Sequence, residues 1–397
     1  MRSSEQSEAT ELPDTPVGRQ VRWLLEAWSS GRVSDAEVGE RFAPGFSFDR
    51  FSSGDGLVDP GPRRAWLEQG RRTQPRPVQV ASDTPLQLAV EVAGRDDCRT
   101  WHGFRVEDAP PHRLSVHCSM SPMPEDGVAR ASATMQVGAV GRAAHLVDDP
   151  PHVFVDEIAR QLLTPEHREH LPTRPRRGPT YLTALVRARL AEDVVEQAYA
   201  DGCRQYVVLG AGLDSFAYRR HDLPGLHVFE VDEPVSQDWK RTRLAEVGIT
   251  EPEHLSFVPV DFDTQRLDER LVANGFDPDR PAVFSMLGVT GYITKDAFEH
   301  TLDLVGATSG NELAFDYHCR SLETDFDRLL LAVVRAAGEP NDTAYEPDEV
   351  MVLLARRGLV VVCDLDPDGA TQRYLDGRAD GLAVKGMTRL VHARRPA

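Results

Sequence analysis

The sequence lacks the features that mark membrane and secreted proteins. No stretch approaches the roughly 18 consecutive apolar residues that a membrane-spanning helix needs. The opening residues, MRSSEQSEATELPDTP, carry no apolar run behind their single arginine, so a secretory signal is not expected. We therefore expect a cytoplasmic protein without a membrane partner.

Cysteine is scarce and scattered. The 5 cysteines in 397 residues form no CxxC pair and no cluster with histidine. This spacing argues against a disulfide scaffold and a structural zinc site, and it fits free thiols in a reducing cytosol. We expect no metal ligand set and predict metal-independent chemistry.

Basic residues are too few to balance the acidic ones. The chain has 45 lysines and arginines against 63 aspartates and glutamates, which gives a net charge of −18. Such a surface repels phosphate-rich partners, so we expect neither nucleic acid nor an anionic membrane as the main partner. The hydrophobic share of 41% is ordinary for a globular protein, and the length allows two or three domains.

The first third of the chain predicts a small α+β domain. Residues 1–15 are polar and are predicted to form a disordered tail. Residues 16–122 begin with helical periodicity and continue with strand-like runs such as LQLAVEVAG and HRLSVHCSM. Proline, glycine, serine and charged residues then cluster, which predicts a linker at 123–138.

Residues 139–397 alternate helical segments with apolar strands, which predicts an α/β domain with a doubly wound parallel sheet. Its expected strands are QYVVLGAG, LHVFEVDE, LSFVPVDFD, AVFSMLGVT and NELAFDYH. Two last strands, LVVVCDLD and MTRLVHAR, lie close in sequence and are predicted to form an antiparallel hairpin at one edge.

The stretch QYVVLGAGLDSFAYR ends an apolar strand with Gly210, Ala211 and Gly212 and then opens a helix. Glycine permits a tight turn and close ligand approach, and a helix N-terminus offers unpaired N–H groups. The dinucleotide fingerprint would place its third glycine at Ser215, and Asp214 would repel a pyrophosphate. The turn therefore suits a ligand with an ammonium or sulfonium charge. We include Ala211 among the cofactor-binding candidates.

Two further carboxylates follow the next two strands. Asp232 ends FEVDEP, about twenty residues on, where acidic residues bind ribose hydroxyls. Asp261 lies beside Phe262 in VPVDFD, a pair suited to the exocyclic amine and the ring of adenine. A single aspartate at such a place is more often a helix cap. Carboxylates at three successive strand ends favour S-adenosylmethionine, an adenosyl ligand without phosphates.

From about residue 139 to the end, the chain resembles the leucine carboxyl methyltransferase-like family of class I S-adenosylmethionine-dependent O-methyltransferases. The resemblance implies a seven-stranded Rossmann-like fold with N-terminal helices that cap the cofactor. It implies that Gly210 and Gly212 line the methionine and ribose portions of the cofactor. It also implies that Asp232 holds the ribose hydroxyls and that Asp261 and Phe262 hold adenine. The matching stretches are GRAAHLVDDPPHVFVDEIA, LVRARLAED, QYVVLGAGLDSFAYR, FEVDEP, VPVDFD, LGVTGYIT and RYLDGRADGLAV.

The same resemblance assigns two arginines. Arg187 in LVRAR matches the arginine that grips the methionyl carboxylate, a contact suited to a planar guanidinium. Arg189 is the neighbour that is most easily mistaken for it. Arg142 falls where the family has a basic residue in the capping helix, and we include it among the cofactor-binding candidates.

The segment FSMLGVTGYIT departs from the family pattern. It carries Met286 and Leu287 where relatives often have tryptophan and glutamate. The methionyl ammonium then needs another carboxylate or a backbone carbonyl, and Asp214 is one candidate. Leu287 stays among the predicted cofactor-binding residues.

Methyl transfer from a sulfonium mainly requires that the acceptor be aligned with the donor. A carboxylate acceptor needs no base, whereas a hydroxyl acceptor does. His318 in DYHCR is the best-placed base candidate, and Tyr317, Arg320 and Tyr292 are candidates for orienting the acceptor. The sequence leaves packing roles open for all four.

Residues 16–122 resemble, in pattern, the ketosteroid-isomerase-like (nuclear-transport-factor-like) cone fold. Alternation in WHGFRV places Trp101, Gly103 and Arg105 on one face and the intervening residues on the other, so one set alone would face inward. Candidates for lining a cavity are Trp101, His102, Phe104, His117 and Met120.

The leading hypothesis is an O-methyltransferase that acts on a carboxyl or hydroxyl group of a small molecule or modified peptide. A role in secondary metabolism is expected by analogy with other fused cone domains. One alternative is a catalytically silent cofactor-binding or regulatory protein. Another is a dinucleotide-dependent oxidoreductase, against which Asp214 and Ser215 argue. The sequence leaves a homodimer open.

Overall fold

The computed structural model forms two compact units. One contains Met1–Met123 together with Asp325–Pro340, and the other contains Pro124–Thr324 together with Asn341–Ala397. The structure describes residues 10–30, 33–51, 76–93, 99–120, 133–148, 150–163, 179–262, 264–339 and 341–396.

Within the described residues, helices and strands alternate from Pro179 to His318. The described helices are α1 (Pro16–Ser30), α2 (Asp35–Arg41), α3 (Ala133–Asp148), α4 (Glu157–Leu162), α5 (Pro179–Ala200), α6 (Phe216–Arg219), α7 (Pro234–Glu246), α8 (Leu267–Ala273), α9 (Lys295–Ala307), α10 (Asp325–Ala336), α11 (Pro347–Ala355) and α12 (Pro367–Leu375). The described strands are β1 (Phe42–Phe51), β2 (Arg76–Asp83), β3 (Gln87–Ala93), β4 (Arg99–Val106), β5 (Leu114–Met120), β6 (Gln205–Leu209), β7 (His227–Asp232), β8 (Leu255–Pro259), β9 (Val283–Met286), β10 (Glu312–His318), β11 (Val360–Leu365) and β12 (Thr388–Arg394).

The predicted tail and the predicted linker both contain residues that the structure places in ordered elements or in the core. Leu12, placed in the predicted tail, is buried in the apolar cluster beside α1. Helix α3 begins at Ala133, within the predicted linker. Most of that tail, residues 1–9, and residues 123–132 of the linker lie outside the described residues.

The first unit contains a five-stranded sheet in the order β1-β5-β4-β3-β2. Helix α1 covers one face because its apolar side chains recur at helical spacing, with Val17, Val21 and Leu24 fully buried. They pack in one cluster with side chains of β3, β4 and β5 such as Phe104, which is also fully buried. The ketosteroid-isomerase-like assignment of this unit stays a prediction.

Helix α10, from the second half of the chain, packs on the same sheet. A Cβ at Gly103 of β4 would lie 2.7 Å from Val333 Cγ2, so the helix contacts the face opposite Phe104. Arg105 on that face forms a 2.5 Å ion pair with Asp325. Trp101 and Phe104 therefore lie on opposite faces and do not line one cavity. The side chains of His117 and Met120 lie outside the described residues.

The second unit contains a seven-stranded sheet in the order β11-β12-β10-β9-β6-β7-β8. Strands β6 to β10 are parallel, and β12 runs antiparallel to both β10 and β11. The strand order reverses at β6, so the carboxyl ends of β6, β7 and β9 flank the crevice where such sheets bind ligands. The predicted doubly wound α/β fold is confirmed. The predicted edge pair is antiparallel, but α12 lies between its strands, so it is not a simple hairpin.

Both faces of this sheet are buried, which explains the continuous apolar runs in its sequence. Val207 and Phe284 are fully buried on one face of the sheet. Tyr206 and Val228, which pair on neighbouring strands, are at most 2% exposed on the other face. Helix α5 packs against β9 and β10 and so carries Arg187 to their carboxyl ends. No helix among the described residues is long and apolar enough to cross a bilayer.

Candidate active site

Three glycines shape the carboxyl edge of the second sheet. Gly210, Gly212 and Gly288 have φ angles of 65°, 46° and 71°, in the left-handed region that glycine adopts readily. A Cβ at Gly210 would overlap a side-chain carbon of Val289, and one at Gly212 would lie 2.8 Å from Met135 Cγ. The backbone at these turns has no room for a side chain. Ala211, between them, is buried, and its N–H donates to the carbonyl of β7 residue 231.

Asp232 faces the glycine turn from the end of β7. Its Oδ2 accepts a 2.5 Å hydrogen bond from the N–H of Gly212, and its Oδ1 accepts one of 2.8 Å from the N–H of Glu233. Burial raises the pKa of this carboxyl, against the lowering effect of the two amides. The strand end thus holds a carboxylate beside the turn, where ribose hydroxyls bind in related sheets.

Asp261 and Phe262 lie on the next strand end. The N–H of Val260 donates to the carbonyl of Asp232 at 2.9 Å and holds the two strand ends side by side. Asp261 Oδ2 accepts a 2.7 Å hydrogen bond from the hydroxyl of Thr264, and Phe262 packs half-buried against the apolar core. The structure places these residues next to Asp232, in the order predicted from the sequence.

Asp214 serves the conformation of the glycine loop. Its Oδ1 accepts a 2.8 Å hydrogen bond from the N–H of Phe216 at the start of α6. Its carbonyl accepts one of 2.7 Å from Lys240 Nζ, which also pairs with Glu230. A role of Asp214 toward the methionyl ammonium stays a prediction.

Arg187 and Arg189 have different surroundings, although they lie two residues apart on α5. Arg187 Nη1 donates to Asp316 Oδ2 at 3.1 Å, and Asp316 Oδ1 accepts a 2.5 Å bond from the N–H of Gly288. Arg189 instead pairs along its own helix with Asp193 and Glu196. The structure brings Arg187 to the crevice edge at β9 and β10 and keeps Arg189 among the side chains of its own helix.

Arg142 connects the capping helix α3 to the glycine loop. Its Nε donates to Asp156 Oδ2 and its Nη2 to the carbonyl of Leu213, both at 2.7 Å. Asp156 is fully buried and caps α4 through the N–H of Ala159. Burial raises the pKa of Asp156, but Arg142 and Arg219 outweigh it and hold that pKa below its ordinary value. A direct contact of Arg142 with the cofactor stays a prediction.

The four predicted catalytic residues do not share one surface. Tyr317 is buried on the opposite face of β10 from Asp316, and its hydroxyl donates to Asp364 at 3.4 Å. Arg320 donates to Glu349 at 2.6 Å and to the carbonyl of residue 344 at 2.7 Å. His318 is half-buried and follows Tyr317 on the Asp316 side of the strand.

Tyr292 and Leu287 lie on the segment that follows β9. Tyr292 is exposed, and Leu287 is half-buried between the core residue Met286 and Gly288. Burial and the neighbouring Asp364 raise the pKa of Tyr317 above the ordinary tyrosine value, so its hydroxyl is harder to deprotonate than usual. The catalytic assignments stay predictions. No group of three or more metal-ligating side chains was found in the described part of the chain.

Asp316, which joins Arg187 to Gly288, was not among the site residues predicted from the sequence. The signal was present in NELAFDYH, where Asp316 interrupts the apolar and aromatic run that follows Glu312. A buried carboxylate is costly unless it is paired, so such an interruption points to a specific partner. Glu230 in LHVFEVDE is a second case, since it pairs with Lys240.

Comparisons with known proteins identify the family of this chain. The sequence profile described as leucine carboxyl methyltransferase matches residues 135–306. YktD of Bacillus subtilis, named as an S-adenosyl-L-methionine-dependent methyltransferase, is 30% identical over 300 residues, which cover 66% of this chain and 97% of YktD. The chain belongs to the leucine carboxyl methyltransferase family. It is an S-adenosyl-L-methionine-dependent methyltransferase, and S-adenosyl-L-methionine is its cofactor.

Other relatives and solved structures share this similarity. A protein of Mycolicibacterium gilvum with the same kind of name is 34% identical over 218 residues, covering 50% of this chain and 70% of its own length. A crystal structure from Thermobifida fusca, described as a methyltransferase, has 18% identity and a TM-score of 0.45, covering 69% of this chain and 99% of its own. A DUF574 family protein of Streptomyces avermitilis has 18% identity and a TM-score of 0.43, and the match covers 65% of this chain and 97% of that protein.

The residues at the crevice fit this cofactor. The left-handed φ angles of Gly210, Gly212 and Gly288 allow tight turns at this edge of the sheet, beside the residues that would contact the ligand. The ligand has ribose hydroxyls, an adenine amine and a methionyl carboxylate. Asp232 offers an acceptor for the ribose hydroxyls, and Asp261 offers one for the adenine amine. Arg187 offers a cation for the methionyl carboxylate at the same edge of the sheet.

Proposed function

We propose that this methyltransferase transfers the methyl group to oxygen, on a carboxyl or hydroxyl group of a small molecule or modified peptide. The family profile is described by a carboxyl acceptor, which supports transfer to oxygen. The arrangement of Arg187, Asp232 and the glycine turns supports a productive cofactor site on the same edge.

Each of the candidate cofactor residues has a distinct task in this proposal. Asp232 binds the ribose hydroxyls, Asp261 and Phe262 bind adenine, and Arg187 binds the methionyl carboxylate. Arg142 keeps the capping helix on the glycine loop through the Leu213 carbonyl. When bound, the cofactor supplies a methyl group on a sulfonium that is already activated for transfer.

Carboxylate and hydroxyl acceptors make different demands on the residues of β10. A carboxylate is ionised at neutral pH and requires only desolvation and orientation. Tyr317 is a poor base, because its hydroxyl donates to Asp364 and burial raises its pKa. His318 is the base candidate if the acceptor is a hydroxyl. Tyr292 and Arg320 are the candidates for orienting the acceptor.

Transfer of a labelled methyl group tests this proposal. The full chain would be incubated with methyl-labelled S-adenosylmethionine and a panel of carboxylic acids, phenols and alcohols. A methyl ester releases labelled methanol in mild base, whereas a methyl ether keeps its label. Base-labile product supports carboxyl transfer and base-stable product supports hydroxyl transfer. Binding of the cofactor without transfer to any acceptor would favour the silent regulatory protein instead.

The proposal extends to the cellular setting. We propose a cytoplasmic enzyme, in agreement with free thiols at Cys203, Cys319 and Cys363. A natural-product acceptor is proposed by analogy with fused cone domains. A homodimer stays a prediction.

A further inference from the structure

Asp316 is a buried carboxylate that links two parts of the candidate cofactor site. It ends the apolar part of β10, and its side chain is 4% exposed. Its Oδ1 accepts from the N–H of Gly288 at 2.5 Å, and its Oδ2 accepts from Arg187 Nη1 at 3.1 Å. Burying a carboxylate is unfavourable unless it is hydrogen-bonded. Gly288 and Arg187 both lie at the crevice edge. The hydrogen bonds that make the buried Asp316 carboxylate tolerable therefore come from the candidate cofactor site.

The guanidinium of Arg187 is held on one side and open on another. A Cβ at Gly288 would lie 2.6 Å from both Nη1 and Nη2, so the guanidinium lies directly against that glycine. Its side chain is nevertheless 24% exposed. An arginine has five N–H donors in a rigid fork, and the bond to Asp316 uses one. The remaining donors suit a second carboxylate, that of a ligand.

The end of β9 has no carboxylate of its own. In the β9–β10 register Met286 pairs with Phe315, so Leu287 and Asp316 are the next residues on the two strands. Met286 and Leu287 are both apolar. The negative charge at this corner of the crevice is therefore supplied by the neighbouring strand β10.

We propose that Asp316 is a positioning residue that holds Arg187 in the orientation in which it binds the methionyl carboxylate of the cofactor. Arginine has a long, flexible side chain, and a fixed one loses less freedom when it binds a ligand. Gly288 completes the arrangement because its missing side chain leaves space for the guanidinium. This inference rests on the proposed role of Arg187 in the cofactor site.

Two ligands that differ at the methionyl end test the inference. S-adenosylhomocysteine carries the amino-acid group, whereas 5′-methylthioadenosine has the same nucleoside without it. Asp316→Asn keeps an oxygen for the Gly288 N–H but turns an amide toward Arg187, where it cannot replace the carboxylate. We expect affinity for S-adenosylhomocysteine to fall about 10- to 100-fold, the usual effect of losing a charge-assisted hydrogen bond. Affinity for 5′-methylthioadenosine should change by less than about twofold, since its contacts are distant from the change.

Further variants separate positioning from general stability. Arg187→Met should show the same selective loss, and adding Asp316→Asn to it should have little further effect because the two residues act as one unit. Asp316→Glu keeps the charge but displaces it, and should also weaken S-adenosylhomocysteine selectively. Asp193→Asn is the matched control, since Asp193 pairs with Arg189 at 2.7 Å on the helix that carries Arg187 and should leave both affinities unchanged.

Isothermal titration calorimetry on the full chain gives these affinities. Equal weakening of both ligands by Asp316→Asn and Asp316→Glu would overturn the inference, because it would show a structural role alone. Unchanged affinity for S-adenosylhomocysteine, or additive losses in the double variant, would overturn it as well. Failure of the unaltered protein to bind S-adenosylhomocysteine would be a different result, and it would count against the cofactor site itself.

Discussion

Lys240 and Glu230 form a buried ion pair beneath the glycine loop. Their Nζ and Oε2 atoms are 2.6 Å apart, and both side chains are 1% exposed. The same ammonium donates to the carbonyl of Asp214 at 2.7 Å, so the pair connects β7 and α7 to the loop that follows β6. The glycine loop is therefore held in place by a buried ammonium group, whose charge is balanced by the Glu230 carboxylate.

Removing the lysine should destabilise the second unit. Lys240→Met leaves the Glu230 carboxylate buried without its partner, and we expect a loss of about 3–5 kcal/mol in the free energy of unfolding. The loss should be smaller at pH 5 than at pH 8, because Glu230 can then take up a proton. Urea denaturation measures both values. Lys385→Met, at an exposed position, is the control, and an equally small effect of both variants would contradict this view.

The pH dependence of stability should carry a signature of Glu230. Burial raises its pKa from 4.5 to about 7 despite the attraction of Lys240. Between these values the folded state keeps a proton that the unfolded state releases, so the free energy of unfolding falls as pH rises. Glu230→Gln removes this titration. The stability difference between the natural protein and the variant should decline from pH 4.5 to 7 and then level off. A difference that stays flat over this window would disprove the assignment.

Asp232 should contribute to cofactor affinity. Asp232→Ala removes the proposed ribose acceptor and the acceptor of the Gly212 N–H, and we expect affinity for S-adenosylmethionine to fall about 10- to 100-fold. Calorimetric titration measures this change. Asp238→Ala, an exposed position on α7, should leave affinity unaltered. If Asp232→Ala binds as tightly as the natural protein, the ribose assignment is wrong.

The two arginines of α5 should differ in their effects. Arg187→Ala should weaken S-adenosylmethionine about 10- to 100-fold, because a charged hydrogen-bond donor to the methionyl carboxylate is lost. Arg189→Ala breaks pairs with Asp193 and Glu196 on its own helix and should change affinity less than about twofold. The measurement is again direct titration. The reverse order of effects would mean that the carboxylate contact belongs to Arg189.

Helix α10 should be required for the stability of the first unit. Val333 is fully buried and faces Gly103, so Val333→Asp places a charge in an apolar contact without a partner. Hydrogen exchange should show lost protection in β3 to β5 and in α10, while β6, β9 and β10 keep theirs. Arg335→Gln, at an exposed position of the same helix, is the control. Unchanged protection in the first sheet would show that α10 is dispensable.

The sheet of the second unit and its ligand edge were predictable from local patterns. Strands buried on both faces read as continuous apolar runs, and the ends of β6, β7 and β8 are marked by a glycine or an aspartate. Gly212 and Asp232 were therefore identified before any contact between them was known. Their order along the edge follows from the rule that parallel strands end on the same side.

Long-range pairing was not predictable in the same way. Arg187 and Asp316 are separated by 129 residues, and nothing local to either residue specifies the other. Alternation along β10 predicts that Asp316 and Tyr317 face opposite sides, but the packing of α5 decides which side meets the crevice. The amphipathic pattern of α10 likewise predicts an apolar partner surface without specifying which sheet provides it.

The first unit is built from two separate stretches of the chain, Met1–Met123 and Asp325–Pro340, and this affects how it folds during synthesis on the ribosome. Strands β2 to β5 emerge early, whereas α10 follows on the order of 10 s later at typical rates of translation. During that interval the nascent chain displays the sheet face around Trp101 and Gly103 to solvent and to chaperones. The first unit can thus complete its fold only after most of the second unit has been translated. This is the reverse of the usual order, in which the domain synthesised first also folds first.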